Sequence, residues 1–400
     1  MFDLELAAEG TGTALAAWVR WRGGATRLMT AVRRPDGTWR EPTAVPGTRN
    51  ASEVEVAFDG HGRAVVVWTK GRAVKATRRS PSGSWSKQAV LHRTPTGRRG
   101  TLPRDLVLAV NDRGRAVLAW QTADDDMDGV YARPRVQAAV GTAAGRWSRA
   151  RTLSKWGLAS TSPEVALDRA GRATVVWTDV RRGGSRVVAA SREIGAPWQG
   201  PQALSRRWKQ TGAPQLTALG SGELAVAYGV RGPKTSGIRV RRWARDTGWA
   251  RPQISPCPAR QWCGQAWTDA DMDGDGRVSV AWAGRGGAAW VDDLSATGER
   301  TRSRLAGPRS VFHGMNIVVN LAGDSVVGWV SVDGGHHPVQ GTYRPRGGSW
   351  EPAQSLSARR GDSWGPELVV EDAGDATALW SHGTNAEFSS IVRARSHPAS

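Results

Sequence analysis

The stretch DADMDGDG, Asp269 to Gly276, sets carboxylates at alternate positions ahead of a glycine. Asp271, Asp273, Asp275 and Gly276 fit the first half of a calcium loop, where oxygen ligands wrap a hard cation and glycine makes the sharp turn. The twelfth position of that loop is Trp282 rather than a bidentate Glu, so a surface turn with spare carboxylates is the competing reading. Other residues could do chemistry too. Asp124, Asp125, Asp126 and Asp128 share one loop, and Asp179 and Asp333 fall in equivalent loops. Two such carboxyls about 5 to 10 Å apart are what a glycosidase needs, whereas a solvated or calcium-binding run is the blander alternative. His336 and His337 are adjacent imidazoles without a nearby Cys or further His to complete a metal site. Cys257 and Cys263, with five residues between them, read as a disulfide, with two free thiols as the alternative. A disulfide implies an oxidising compartment. No P-loop, nucleophile elbow or dinucleotide fingerprint occurs, and no residue is assigned a catalytic role.

Five tryptophans keep company with cations: Trp21 between Arg20 and Arg22; Trp156 after Lys155; Trp208 with Arg206, Arg207 and Lys209; Trp262 after Arg260; and Trp364 after Arg359 and Arg360. An indole can stack on a sugar ring while the cation takes a carboxylate, sulfate or phosphate. The same pairs can stack on bases, or the indole can plug a gap with Arg laid over it. The formal charge of +19 favours acidic partners. Only six of the 55 basic residues are Lys, which an Arg-rich codon bias alone would give. There is no 18-residue apolar run to cross a membrane, and MFDLELAAEG lacks the basic and apolar regions of a signal peptide.

The elements that must position these groups repeat. EGTGTALAAW, DGHGRAVVVW, NDRGRAVLAW, DRAGRATVVW, LGSGELAVAY, DGDGRVSVAW, NLAGDSVVGW and EDAGDATALW end at Trp18, Trp68, Trp120, Trp177, Tyr228, Trp282, Trp329 and Trp380, at spacings of 47 to 57 residues. A glycine stands six residues before each aromatic. Glycine supplies the positive φ of a type I turn with a G1 bulge, so each segment is a β-hairpin. A second tight turn leads into Trp39, Trp85, Trp147, Trp198, Trp249 and Trp350, and the sixth copy, LSATGERT, loses the Trp. Each repeat therefore reads strand A, turn, strand B, variable loop, strand C, turn, strand D.

Four short antiparallel strands repeated without helices predict an all-β chain forming a single β-propeller over 1–400. Eight blades are favoured and seven are possible, with approximate bounds 1–50, 51–102, 103–160, 161–211, 212–264, 265–308, 309–362 and 363–400. The last blade lacks its outer strand, which an upstream segment carrying a secretion signal is expected to supply. The A–B and C–D turns lie on one face. The variable B–C and D–A loops, with all five cation-flanked tryptophans, lie on the other, where ligand sites tend to sit.

Hairpins with a tight C–D turn leading into Trp resemble the Asp-box repeats of sialidase-like propellers, most closely those of secreted actinobacterial repeat proteins. The resemblance spans the chain and implies the propeller fold. Asp36 adjoins Gly37, one place out of the Asp-box register, and none of Tyr131, Tyr228 and Tyr343 matches the family's tyrosine nucleophile. The expected function is a secreted, monomeric, non-enzymatic module that binds acidic glycans or cell-wall polymers through Trp and Arg of the loop face. A glycoside hydrolase or lyase using loop aspartates and a protein-interaction scaffold are the alternatives. Calcium is the one cofactor the sequence raises, and nucleic acid is disfavoured as a partner.

Overall fold

The computed structural model describes residues 3–94, 102–123, 134–155, 158–233, 235–257, 263, 268–284, 286–358, 361–384 and 387–397. Every regular element among them is a β-strand, and the fold is a β-propeller of antiparallel blades. Eight sheets follow one another among the described residues. Seven hold four strands or more, and the eighth holds three: Asp362–Val370, Ala376–Thr384 and Glu387–His397. The second repeat shows the plan, with strand A Val54–Phe58, B Ala64–Lys70, C Ala73–Arg79 and D Ala89–Arg93.

The A–B turn is fixed by its first residue. The Asp59 carboxylate accepts the backbone N–H of His61 and Arg63 at 2.9 and 3.0 Å, and Gly62 takes a φ of 69°. Asp168, Asp273 and Asn320 close their turns in the same way. One expectation needs correction. Trp39, Trp85 and Trp147 do not open strand D: they make single bridges to Arg33, Arg79 and Gly141, and the strand proper begins four residues later, whereas Trp198 stands directly before its strand, Gln199–Ala203. The chain pairs once beside the turn, leaves register, and then resumes.

The chain divides into two compact units, residues 1–210 with 220–222, and residues 211–219 with 223–400. Within each, strand A of one repeat lies against strand A of the next. The strand-B aromatics fill the space between successive sheets. In the first unit Trp68 packs on Leu15, Ala17, Val19 and Leu28 of the preceding repeat, with Trp85 beside it. In the second unit Trp329 packs on Ala281, Ala289 and Val291, with Trp350 beside it. The Trp-less sixth repeat substitutes its own strand C: Trp290 stacks on Trp282 at 5.7 Å, and Arg302 lies over the same ring.

Candidate functional site

Of the aspartates that resemble a calcium loop, Asp271 and Asp273 are engaged by the fold. Asp271 accepts Thr217 Oγ1, Met272 N–H and Val319 N–H, each at 2.8 Å. Asp273 accepts the N–H of Asp275 and Arg277 within its hairpin, at 3.1 and 2.8 Å. The geometry aims N–H donors at these oxygens rather than leaving them open to a cation. Among the described residues no group of three or more His, Cys, Asp or Glu is set to hold a metal. Neither His336 nor His337 belongs to such a group. His337 instead bonds Asp362 at 2.9 Å, and His336 Nδ1 accepts Gly361 N–H. Asp179, a loop carboxylate in the sequence reading, is a buried anchor on strand B. Its Oδ1 accepts Ser160 Oγ and Trp177 Nε1 at 2.9 and 2.8 Å. Cys257 and Cys263 form the expected disulfide. Asp124 to Asp128, and the site candidates Trp156, Arg260, Trp262, Arg359 and Arg360, lie outside the described residues.

The described loop tryptophans differ from one another. Trp21 stands at the tip of the hairpin Ala14–Arg22 and Ala25–Arg33 and is 61% exposed. Side chains alternate along a strand, so Arg20 and Arg22 project on the opposite face of that hairpin from Trp21. Trp208 is half-buried, tied through its backbone to Ser185, with Arg206 stacked 4.0 Å from its ring centre. Arg207 is held by Gly184 O at 2.9 Å, while Lys209 is exposed. Trp208 is thus a capped plug and Trp21 a free indole. Trp364, in the second unit, is 38% exposed. The loop end of the first unit also exposes Arg20, Arg22, Arg27, Arg49, Lys155, Arg181, Arg182, Arg206 and Lys209.

At the same end of this unit the inner strands carry a carboxyl trio that the sequence reading passed over. Asp3, Glu53 and Asp105 each stand fifteen residues before the strand-B tryptophan, where strand A begins or bulges. Asp3 Oδ2 accepts Val54 N–H at 2.5 Å, and Glu53 accepts Leu106 N–H, so each carboxyl reaches the A strand of the next repeat. Gln121 Nε2 donates to Asp105, whose φ of 50° is rare for a side chain-bearing residue. Glu53 Oε2 is buried without a hydrogen-bond partner. Burial, with the charges of Asp3 and Asp105, pushes Glu53 up to about 7. Burial and Asp105 push Asp3 up to about 6, and burial raises Asp105. Near neutral pH the trio holds a proton next to a carboxylate, the arrangement that supplies a general acid and base.

The second unit uses the same inner surface differently. Gln215, Asp269, Asn316 and Glu367 occupy one register position, each paired opposite the residue before the strand-B aromatic. They line a cavity of about 190 Å³ with Thr268. Asp269 Oδ2 accepts Ile317 N–H at 2.9 Å across to the next strand A, and burial pushes its carboxyl up to about 7.

No family model matches the chain, and no curated protein matches it. Solved structures do. Puromycin hydrolase, as an S511A mutant complexed with PGG, aligns with a TM-score of 0.54 at 17% identity over 95% of this chain. The chain spans 58% of that enzyme's length. The polysaccharide lyase Uly1 aligns with a TM-score of 0.51 at 10% identity, over 90% of this chain and 94% of the lyase. Prolyl oligopeptidase B from Galerina marginata aligns with a TM-score of 0.51 at 9% identity, over 96% of this chain and 56% of its own. At these identities the likeness is one of fold. It assigns no activity to the trio or to the loop face. The fifteen-residue spacing was the signal available in the sequence for the trio. It is weak, because Ser162, Ala213, Trp267, Gly314 and Gly365 hold the same place in the other repeats.

Proposed function

We propose that the loop end of the first unit binds an acidic polysaccharide. The observation that carries this reading is the exposed cation set, including Arg20, Arg22, Arg206 and Lys209, at the same end as an inner carboxyl trio whose pKa values burial raises. A polyanion is drawn by the cations. Three ordinary carboxylates would repel it, and the upward shifts of Asp3, Glu53 and Asp105 weaken that repulsion. Trp21 offers a free face for a ring. The resemblance of the repeats to secreted sialidase-like propellers fits a secreted protein working outside the cell, and the Cys257–Cys263 disulfide agrees with it.

The test is titration with neutral and acidic glycans, a teichoic-acid-like polymer and DNA at low and high salt. Acidic glycans should bind, and the triple variant Arg20→Ala, Trp21→Ala, Arg22→Ala should weaken that binding at least tenfold at both salt levels. Equal binding of every polyanion, all of it abolished by salt, would sink the reading.

A second reading, hydrolysis of the bound chain, is favoured by the trio itself. A carboxyl that keeps its proton near pH 7 can protonate a glycosidic oxygen while a neighbouring carboxylate activates water or attacks the anomeric carbon. It is tested by incubating the protein with the polymers it binds and assaying new reducing ends.

A further inference from the structure

We propose that the loop end of the second unit carries a separate site for an uncharged pyranose ring, built from Phe312, His337, Asp362 and Trp364. Phe312 is 43% exposed. Its ring stacks on His337 at 4.1 Å with 24° between the planes. His337 Nδ1 in turn bonds Asp362 Oδ1 at 2.9 Å, and its backbone carbonyl accepts Ser363 N–H at 2.9 Å. The imidazole is therefore fixed from two sides and holds Phe312 in place. Asp362 and Trp364 are two apart on strand Asp362–Val370, so their side chains share a face. Trp364 is exposed on that face.

This arrangement has the chemistry of a sugar site. Two exposed aromatic rings meet the C–H faces of a pyranose. The second Asp362 oxygen and His337 Nε2 meet its hydroxyls, and a few fixed polar groups among aromatic ones are what orient a ligand. The Asp362 carboxylate faces the ligand and disfavours uronates and sulfated sugars. Burial and the neighbouring His337 lower the His313 imidazole, so it brings no fixed positive charge to offset Asp362. The proposal is independent of the acidic-polymer site, because every residue in it belongs to the second unit.

The experiment is calorimetric titration of the full chain with neutral hexasaccharides of glucose, mannose, galactose and N-acetylglucosamine, and with a hexagalacturonate. At least one neutral oligomer should bind. Phe312→Ala and Trp364→Ala should each weaken it tenfold or more, and Asp362→Asn several-fold. The Arg20→Ala, Trp21→Ala, Arg22→Ala variant should bind it unchanged. Both rings are exposed, so these variants should keep the parent melting temperature, and a variant whose melting temperature falls is replaced by His337→Gln, with the same loss expected. No binding by any neutral oligomer, tighter binding of the galacturonate, or equal affinity in Phe312→Ala overturns the proposal.

Discussion

The two carboxyl oxygens of Glu53 meet different surroundings. One oxygen holds the N–H of Leu106 in the next inner strand, and the other, Oε2, has no partner. If the trio cleaves glycans, Glu53→Gln should reduce turnover at least a hundredfold while polymer binding changes by less than threefold, measured on the same preparation. Turnover should also fall as pH rises through about 7, where the proton on Glu53 is lost. Asp269 makes a stability prediction with a definite sign. Its folded pKa is raised from 3.8 to about 7, so the folded state binds a proton that the unfolded chain releases near pH 4. Its contribution is favourable at low pH and is lost as pH rises from about 4 to about 7. Asp269→Asn should flatten that part of the stability profile in denaturant titrations. Neither role was legible from sequence, because burial and the identity of the adjoining strand are set by the fold, not by neighbours along the chain.

At the level of elements, the hairpins were read correctly because turn chemistry is local. Glycine six residues before an aromatic fixes the turn whatever surrounds it. The arginines at the ends of strand C carry no local signal of their role, since their contacts lie in the next repeat. Arg78 donates to Gly114 O and Thr142 O at 2.9 and 2.8 Å. Arg242 does the same in the second unit, to Gly276 O and Leu294 O at 2.5 and 2.8 Å. These arginines clasp one blade to the hairpins of its neighbour. Arg242→Met keeps the aliphatic stem and removes the clasp, and should cost about 1–3 kcal/mol in urea unfolding. Gly184 is a second test. A Cβ there would lie 2.0 Å from Trp208 O, at a φ of 141°. Gly184→Ala should therefore unseat the Trp208 loop and destabilise the protein by more than about 2 kcal/mol, read as a drop in melting temperature.

For the molecule as a whole, the repeat spacing made the propeller legible from sequence, while the net charge gave less than it promised. Some of the 55 basic residues are held in clasps and buried pairs such as Arg344 with Asp293 at 2.7 Å. The remainder is exposed, and its attraction for polyanions falls once the Debye length shrinks to a few ångströms near 1 M salt. Binding that survives that salt must come from stacking and short hydrogen bonds. The loop tryptophans were recognised as a group, but whether an indole is open or capped depends on the packing of each loop, as Trp21 and Trp208 show.

The contrast between the strand-B indoles and Trp21 has an optical consequence. Trp68, Trp120, Trp177, Trp282 and Trp329 are sealed at 0% exposure, whereas Trp21 meets water and is flanked by Arg20 and Arg22. Iodide, an anionic collisional quencher, reaches the exposed Trp21 ring and cannot reach the sealed rings. The red edge of the emission should lose intensity to iodide faster than the blue edge. A ligand seated on Trp21 should slow that loss, so the native protein carries its own dye at the loop face.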